Sequence, residues 1–317
     1  MNAAATPWLS VILPIHQGAA YLGATLASVA AEKPEGVELR LYNSAEDGGA
    51  ASTIAEGFAT KLDIIWQEVP HLQPWTAKTN LGVSEARASH IVMLHQDDLW
   101  LAGHLAAIRK AIVTAPQAVM SVAPSQFIGP QGQPLGHWRL PFEAGPLTGR
   151  GFAQTLLVQN SIAIPSPVIA REAWLASGGL DDDLWYTADW DLYLKLAAQG
   201  DVLVRAPTTT AFRVHNGSLT MVGSRDATAF RRQHEIVLAR HMPRLTPLPE
   251  GLEARARAAI ATNCALAETS NGRRGALLDL LPPLVRLGPR GFFRFLTETS
   301  LIDRLRPRLK LAIAGLL

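Results

Sequence analysis

The chain of 317 residues predicts an α/β fold with a mostly parallel central sheet, flanking helices and a C-terminal segment that is entirely helical. Two observations lead to this prediction. Over the first hundred residues, short apolar runs alternate with stretches whose apolar residues recur at helical spacing, which is typical of a parallel sheet covered by helices. From residue 226 onward the pattern is helical only, and several prolines interrupt it.

The elements can be predicted in chain order. Four short apolar runs predict strands, at residues 9–15, 37–42, 64–69 and 91–94. Helical spacing between them predicts helices that include residues 22–29, 54–59 and 79–88. The next elements are a helix at 105–114, a strand at 118–122 and a Gly/Pro-rich long loop or hairpin at 129–151. A helix at 189–199 and strands at 202–204 and 209–214 complete the α/β part.

Composition excludes several classes of protein. Hydrophobic residues make up 48% and charged residues 18% of the chain, which indicates a globular protein. The single cysteine, Cys264, excludes an intrachain disulfide and a cysteine-only zinc site. The N-terminal residues lack the basic segment of a signal peptide, and no apolar run reaches the length of about 18 residues that a membrane span needs. We therefore expect a cytoplasmic protein, or one peripheral on the cytoplasmic face of a membrane.

Charge is distributed unevenly along the chain. Residues 272–317 contain nine basic and three acidic side chains, a balance of +6, which leaves −4 for the preceding 271 residues of a chain whose net charge is +2. The α/β part therefore lacks the basic surface expected of a nucleic-acid-binding protein. The basic tail also carries many leucines and phenylalanines. It is predicted either to contact an anionic membrane surface or to pack on the rest of the protein.

Asp97 and Asp98 directly follow the fourth predicted strand. Two adjacent carboxylates repel each other, and a divalent cation that bridges a diphosphate would offset the repulsion. The alternative is that Asp98 caps the next helix while Asp97 is solvated. Residue type and spacing leave both interpretations open.

Two further sites contain candidate residues. Asp189 and Asp191 flank a tryptophan at the start of a predicted helix, where one carboxylate could cap the helix and the other act as a general base. His215 follows the last predicted strand and could bind a metal or a phosphate, although a lone histidine is more often structural.

Four segments of the chain carry a family resemblance. They are LSVILPIHQ at 9–17, the Asn80-x-Gly82 approach that ends in HQDD, GGLD at 178–181 with ADWDL at 188–192, and FRVHNGS at 212–218. In this order they resemble the motifs of the family 2 glycosyltransferases, inverting enzymes with the nucleotide-diphospho-sugar transferase fold called GT-A. The resemblance covers roughly residues 8 to 220, and four motifs in order are much more specific than one.

The resemblance implies roles for individual residues. Asp97 and Asp98 take the place of the acidic motif that binds Mn²⁺ or Mg²⁺, and His215 that of a histidine that joins the metal shell in some members. Asp189 takes the place of the base that deprotonates the acceptor hydroxyl. The residues implied at the nucleotide are Pro14, His16, Asn43, Asn80 and Asp97.

The implied activity is transfer of a sugar from a nucleotide-diphospho-sugar, with a UDP-sugar favoured, to a hydroxyl acceptor. The acceptor class is a saccharide or lipid-linked saccharide in cell-surface polysaccharide or glycolipid synthesis. Three positions depart from the family pattern, namely Asn43, His95 and Ala188. They leave open a catalytically inactive protein that binds sugar nucleotides. A nucleotidyltransferase is a further alternative, but HQGAA at 16–20 is a poor phosphate loop.

The same resemblance predicts the domain organisation. A GT-A catalytic domain is expected at residues 1–222, with a nucleotide-binding half at 1–99 and an acceptor-binding half at 100–222. A helical region with the basic amphipathic tail is expected at 223–317. The sequence does not indicate an oligomeric state.

Overall fold

Two β-sheets organise the α/β part of the protein. The computed structural model describes residues 6–218 and 226–313. Its strands are β1 (Leu9–Ile15), β2 (Val37–Asn43), β3 (Asp63–Glu68), β4 (His90–Met93), β5 (Leu99–Trp100), β6 (Met120–Val122), β7 (Ser125–Ile128), β8 (Pro134–Trp138), β9 (Gly145–Leu147), β10 (Val168–Ala170), β11 (Val202–Val204) and β12 (Thr210–Arg213).

The larger sheet has the order β3-β2-β1-β4-β10-β6-β11-β9. Strands β1 to β4 pair in parallel, as the alternating pattern predicts. Strand β10 lies antiparallel between β4 and β6, and β9 pairs antiparallel with β11. The sheet is therefore mostly parallel, and the carboxyl ends of β1, β2 and β4 meet at one edge.

Helices cover this sheet and form the C-terminal region. They are α1 (Ala19–Ala31), α2 (Ala50–Glu56), α3 (Trp75–Glu85), α4 (His104–Thr114), α5 (Gly149–Leu156), α6 (Arg171–Ser177), α7 (Ala188–Ala197), α8 (Ala227–His241), α9 (Leu252–Ser270), α10 (Leu281–Val285), α11 (Gly288–Thr299) and α12 (Leu301–Ile313). Short 3₁₀ segments at Met242–Leu245 and Arg274–Leu280 connect some of the later helices.

The smaller sheet has the order β5-β12-β7-β8. Strands β7 and β8 form a hairpin that includes part of the predicted loop or hairpin at 129–151. Strand β12 pairs with both β7 and β5. Since β5 follows the HQDD segment directly, this sheet joins the end of β4 to the segment that precedes His215.

Close packing between α3 and β1 explains the glycine of the Asn80-x-Gly82 motif. A β-carbon on Gly82 would lie 2.5 Å from the Ile12 side chain and 2.8 Å from the Tyr42 ring. Both neighbours are fully buried, so they cannot move aside at low cost. The glycine therefore lets α3 approach the sheet.

The C-terminal helices share the main hydrophobic core with the α/β part. Val237 on α8, Cys264 on α9 and Phe295 on α11 belong to the same buried cluster as residues of the central sheet. The predicted boundary at residue 222 lies outside the described residues, so the division into domains stays a prediction. No helix in the described ranges is long and apolar enough to cross a membrane.

Candidate functional site

Hydrogen bonds hold the HQDD segment against the end of β1. Gln96 donates from Nε2 to the His16 carbonyl (2.9 Å), and its Oε1 accepts from the His16 amide (2.8 Å). The Thr25 hydroxyl on α1 lies 2.8 Å from the Gln96 carbonyl and 2.9 Å from the Asp98 carbonyl. These contacts hold both aspartates at the carboxyl ends of parallel strands, where open α/β sheets bind their ligands.

Asp98 is a buried carboxylate with one unsatisfied oxygen. Its side chain is 1% exposed, and Oδ1 accepts a hydrogen bond from the Arg213 amide at 3.0 Å. Within the described part of the chain, Oδ2 has no hydrogen-bond partner. Burial and the neighbouring Asp97 raise the pKa of Asp98 well above its ordinary value. Because buried polar atoms are normally satisfied, this oxygen marks a place for a cationic ligand.

His95, Asp97 and Asp98 form a group that fits a divalent cation. One ligand atom from each residue lies within 4.8 Å of the other two. The His95 Nε2 atom is also buried without a hydrogen-bond partner among the residues described. Carboxylate oxygens suit Mn²⁺ and Mg²⁺, and imidazole suits transition metals. The structure thus brings the two predicted ligands together with a histidine that the family pattern marks only as a departure.

His215 lies beside Asp97 rather than within this group. Its Nε2 atom is 2.9 Å from Asp97 Oδ2, and its ring packs 4.8 Å from the Tyr21 ring. Arg213 donates from Nε to the Asp97 carbonyl at 2.7 Å, and its guanidinium lies over the same Tyr21 ring. To bind a cation through Nε2, His215 would have to give up its hydrogen bond with Asp97. Its role as a ligand stays a prediction.

Asp189 and Asp191 both lie in the first turn of α7, but their surroundings differ. Asp191 is fully buried, forms ion pairs with Lys195 and Arg240, and lies within hydrogen-bond distance of His241 Nε2 (2.8 Å). Burial alone would raise its pKa, but the contacts with His241 and Lys195 lower the pKa to about 2. Asp191 is therefore a structural anion of the core, which leaves Asp189 as the candidate base.

Asp189 faces a cavity that Asp97 also lines. The Asn160 side chain donates to Asp189 Oδ2 at 2.8 Å, and the Trp190 amide donates to Oδ1 at 2.8 Å. Burial raises the pKa of Asp189 to about 6, although both hydrogen bonds act in the opposite direction. A carboxylate with this pKa is mostly ionised at neutral pH and can accept a proton there, as a general base must.

The cavity connects the acidic group to the candidate base. It has a volume of about 170 Å³. Aromatic side chains make up much of its wall, among them Trp75, Trp138, Trp185, Tyr186 and Phe212. A largely apolar wall with a few polar groups is typical of a small-molecule site. The arrangement can bind a polar ligand between a cation-binding group and a base.

The residues predicted at the nucleotide lie near the ends of β1 and β2. Pro14 is buried in β1, and exposed His16 follows that strand, with Nδ1 3.1 Å from the Ser44 hydroxyl. Asn43 is 1% exposed, and its amide nitrogen donates to the Ala45 carbonyl and to Glu68. Asn43 therefore already holds the turn after β2, and its contact with a nucleotide stays a prediction.

Asn80 joins α3 to the Gly179–Leu180 turn. Its Nδ2 donates to the Leu180 carbonyl at 2.8 Å, and its Oδ1 accepts from the Leu180 amide at 2.9 Å. Because both ends of the side-chain amide are used, the structure gives this motif residue a structural role. Its assignment to the nucleotide stays a prediction.

Lys78 is a buried residue that the motif analysis missed. Its ammonium donates to the Ile15 carbonyl at 2.8 Å and to the Ser44 hydroxyl at 2.7 Å, at the ends of β1 and β2. Burial lowers the pKa of Lys78 to about 8. The available signal was its position one helical turn before Gly82, on the face of α3 that packs against β1.

Comparison with known proteins identifies the family. A family model described as glycosyltransferase like family 2 matches residues 53–242, more than half of the chain. The protein belongs to this family. No curated protein matches its sequence.

Solved structures show the same fold at low sequence identity. S. aureus TarS 1-349 in complex with UDP-GlcNAc has a TM-score of 0.59 at 13% identity, and the match covers 91% of this chain and 89% of that chain. Mannosyltransferase PcManGT from Pyrobaculum calidifontis, in complex with GDP-Man and Mn²⁺, has a TM-score of 0.56 at 18% identity, over 92% and 86% of the two chains. The predicted GT-A fold is confirmed.

Proposed function

We propose that the protein is an inverting glycosyltransferase that moves a sugar from a nucleotide-diphospho-sugar to a hydroxyl group. The observation that carries the proposal is one cavity lined by both Asp97, from the cation-binding group, and Asp189, a carboxylate with a pKa of about 6. An inverting transfer needs these two features on opposite sides of the reacting carbon. We propose a saccharide or lipid-linked saccharide of cell-surface polysaccharide or glycolipid synthesis as the acceptor.

The reaction is a single displacement at the anomeric carbon. Asp189 accepts the proton of the acceptor hydroxyl as its oxygen forms the new bond to the sugar. The bond from the sugar to the diphosphate breaks, and the electron pair leaves with the nucleoside diphosphate. His95, Asp97 and Asp98 would hold a divalent cation, which would neutralise charge on that leaving group. Asn160 holds Asp189 Oδ2 in position for this proton transfer.

A UDP-sugar is our first choice of donor, with a GDP-sugar as the alternative. TarS was solved with UDP-GlcNAc and PcManGT with GDP-Man, so relatives of this fold bind both nucleotides. In this chain, the ammonium of Lys78 and the ring of His16 meet at the Ser44 hydroxyl. A buried lysine at this edge of the sheet favours a ligand that presents oxygen atoms, which both nucleotides do, so the choice of a UDP-sugar rests on the family resemblance.

We also propose that the C-terminal region contacts the cytoplasmic face of a membrane. One face of this region packs on the protein, through residues such as Phe295, while Leu278, Val285 and Phe293 are exposed. Exposed apolar side chains among arginines suit an anionic lipid surface, where a lipid-linked acceptor would be found.

The function is tested by the metal dependence of nucleotide binding. In a thermal-shift panel of UDP, GDP and their sugars, we expect one nucleotide series to raise the melting temperature with Mn²⁺ and not with EDTA. Asp97→Ala and Asp98→Asn should lose this shift, because they remove oxygens from the cation-binding group. Asp182→Ala is the matched control, since Asp182 is an exposed aspartate between α6 and α7.

Two results would contradict the proposal. One is a wild-type shift of equal size with EDTA, and the other is an undiminished shift in both aspartate variants. Metal-dependent binding without donor hydrolysis or transfer would instead identify an inactive sugar-nucleotide-binding protein.

A further inference from the structure

Helix α12 forms one wall of the catalytic cavity. Leu311 is buried against Phe127, Leu135 and Val214 of the smaller sheet and its flanks. Lys310 donates to the Leu135 carbonyl at 2.7 Å. Asp303 also forms a salt bridge of 3.2 Å with Arg139, the residue that directly follows β8. This docking directs two residues one helical turn apart, Arg304 and Arg308, into the cavity that contains Asp189.

Among the residues that the structure describes, these two guanidinium groups have no acidic partner. Arg304 donates from Nη2 to Asn263 Oδ1 at 2.8 Å, and Arg308 donates from Nη1 to the Arg304 carbonyl at 3.2 Å. Neither forms a salt bridge with any carboxylate within residues 6–218 and 226–313. By contrast, Arg255 and Arg273 of the same region are each paired with a glutamate.

The position of the pair makes the missing counter-charge significant. Burial and the adjacent Arg308 lower the pKa of Arg304 to about 10, which leaves Arg304 charged at neutral pH. The nearby His234 adds no further positive charge, since burial lowers its pKa to about 4 and keeps it neutral. Two partly buried like charges are costly unless an anion joins them, and a guanidinium fork suits the oxygens of a phosphate or carboxylate.

We propose that the acceptor carries a phosphate or carboxylate group, which Arg304 and Arg308 bind while its hydroxyl meets Asp189. The proposal rests on the glycosyltransferase function and names the substrate class of the same cavity. The aromatic wall formed by Trp138, Trp185 and Tyr186 suits the apolar faces of a sugar between the two polar ends. Acceptor recognition is therefore assigned to the C-terminal region as well as to the α/β part.

The test is calorimetric titration of the full chain with Mn²⁺ and its preferred nucleoside diphosphate at saturation, so that the donor site is filled. The probes are methyl α-glucoside, its 6-phosphate, methyl α-glucuronide and inorganic phosphate. We expect the two anionic glycosides to bind at least about tenfold more tightly than the neutral one, as charge-assisted hydrogen bonds imply. The preferred anion decides between phosphate and carboxylate.

Variants assign the effect to the arginine pair. Arg304→Gln with Arg308→Gln should abolish the preference for anions, and the corresponding lysine variants should retain part of it. Arg306→Gln is the matched control, because Arg306 lies on the same helix and is exposed. The melting temperature of each variant verifies the fold, and nucleotide affinity is measured separately to report on the donor site.

Three outcomes would overturn the inference. They are equal affinity for neutral and anionic probes, no binding of any anionic probe by the wild-type protein, and loss of nucleotide affinity alone in the arginine variants. The last would assign the pair to the donor diphosphate. Failure of the proposed function is distinct, because it removes metal-dependent nucleotide binding from the wild-type protein before any acceptor probe is added.

Discussion

The hydrogen bond from Asn160 to Asp189 controls the protonation of the proposed base. Asn160 stabilises the ionised carboxylate, so its removal should raise the pKa of Asp189 above about 6. The acid limb of kcat/KM, where activity rises as Asp189 loses its proton, should then move to higher pH. For Asn160→Ala we expect an upward move of about one pH unit. The measurement is a pH profile of transfer.

A second variant at the same position gives a graded test. Asn160→Asp keeps an acceptor for the Ile162 amide but adds a negative charge beside Asp189, so the limb should move further upward. An unchanged limb in both variants, or a downward move, would separate Asp189 from the proton transfer.

Asp189→Asn should separate binding from catalysis. The amide cannot accept the acceptor proton, so transfer should fall by roughly 10²–10⁴-fold. Nucleotide and Mn²⁺ affinity should persist, because the cation-binding group is separate from α7. An assay of sugar transfer measures the rate, and calorimetry on the same preparation measures the affinity for nucleotide and Mn²⁺. Near wild-type turnover would show that another group is the base.

The same variant should stabilise the fold at neutral pH. The folded-state pKa of Asp189, about 6, lies above its ordinary value of 3.8, so the folded state binds the proton more tightly than the unfolded one. The stabilisation of the folded state that comes from this proton binding is present at low pH and is lost as pH rises through about 6. Asp189→Asn should therefore raise the free energy of unfolding by up to about 3 kcal/mol at pH 8, with little effect near pH 4. Equal effects at both pH values in urea unfolding would contradict this origin.

Some site residues could be predicted from the sequence and others could not. Asp97, Asp98 and Asp189 lie in contiguous motifs, so a linear pattern reveals them. Asn160 and Arg304 act only through the fold, because they meet their partners across 29 and 41 residues of chain. No local spacing encodes such contacts. Buried lysines such as Lys78 are rare enough that residue type alone argues against them.

At the scale of elements, the docking of α12 on the smaller sheet can be tested by two leucines of that helix. Leu311 is 1% exposed, whereas Leu309 is 62% exposed. Leu311→Ala should lower the free energy of unfolding by about 2–4 kcal/mol, because it leaves a cavity between α12, Phe127 and Leu135. Leu309→Ala should change it by less than about 0.5 kcal/mol. Equal small effects in denaturant unfolding would show that α12 does not dock as described.

The predicted bounds of strands and helices agree with the structure where the hydrophobic period is regular. Strand β1 has the predicted bounds, and the other parallel strands differ by one or two residues. Strand β10 and helix α5 were missed. The three residues of β10 are too few for a period to appear, and α5 begins with Gly149, which the Gly/Pro-rich pattern assigned to a loop. Tertiary packing, rather than local sequence, determines these elements.

At the scale of the whole molecule, the charge asymmetry separates an acidic α/β part from a basic tail. The acidic part includes the cation-binding group. In the tail, exposed Arg286 directly follows α10, and exposed Arg290 and Arg294 lie on α11, near exposed Val285 and Phe293 in sequence. The packing of α11 through Phe295 accounts for only one face of these helices. A membrane would therefore meet the tail while the catalytic cavity stays accessible to a soluble donor.

We expect the full chain to co-sediment with phosphatidylserine vesicles at low salt and to be released as salt rises. Each arginine near an anionic surface contributes roughly 1 kcal/mol, so replacing Arg286, Arg290 and Arg294 by glutamine should weaken binding about a hundredfold. Phe293→Gln should weaken it further by removing an inserted ring. Val113→Gln is the control, because Val113 is 81% exposed on α4, outside the tail. Two results would contradict a membrane role: no binding of the full chain to anionic vesicles at low salt, or binding that the tail variants leave unchanged. Either result would leave the tail only the roles of packing on the protein and lining the cavity.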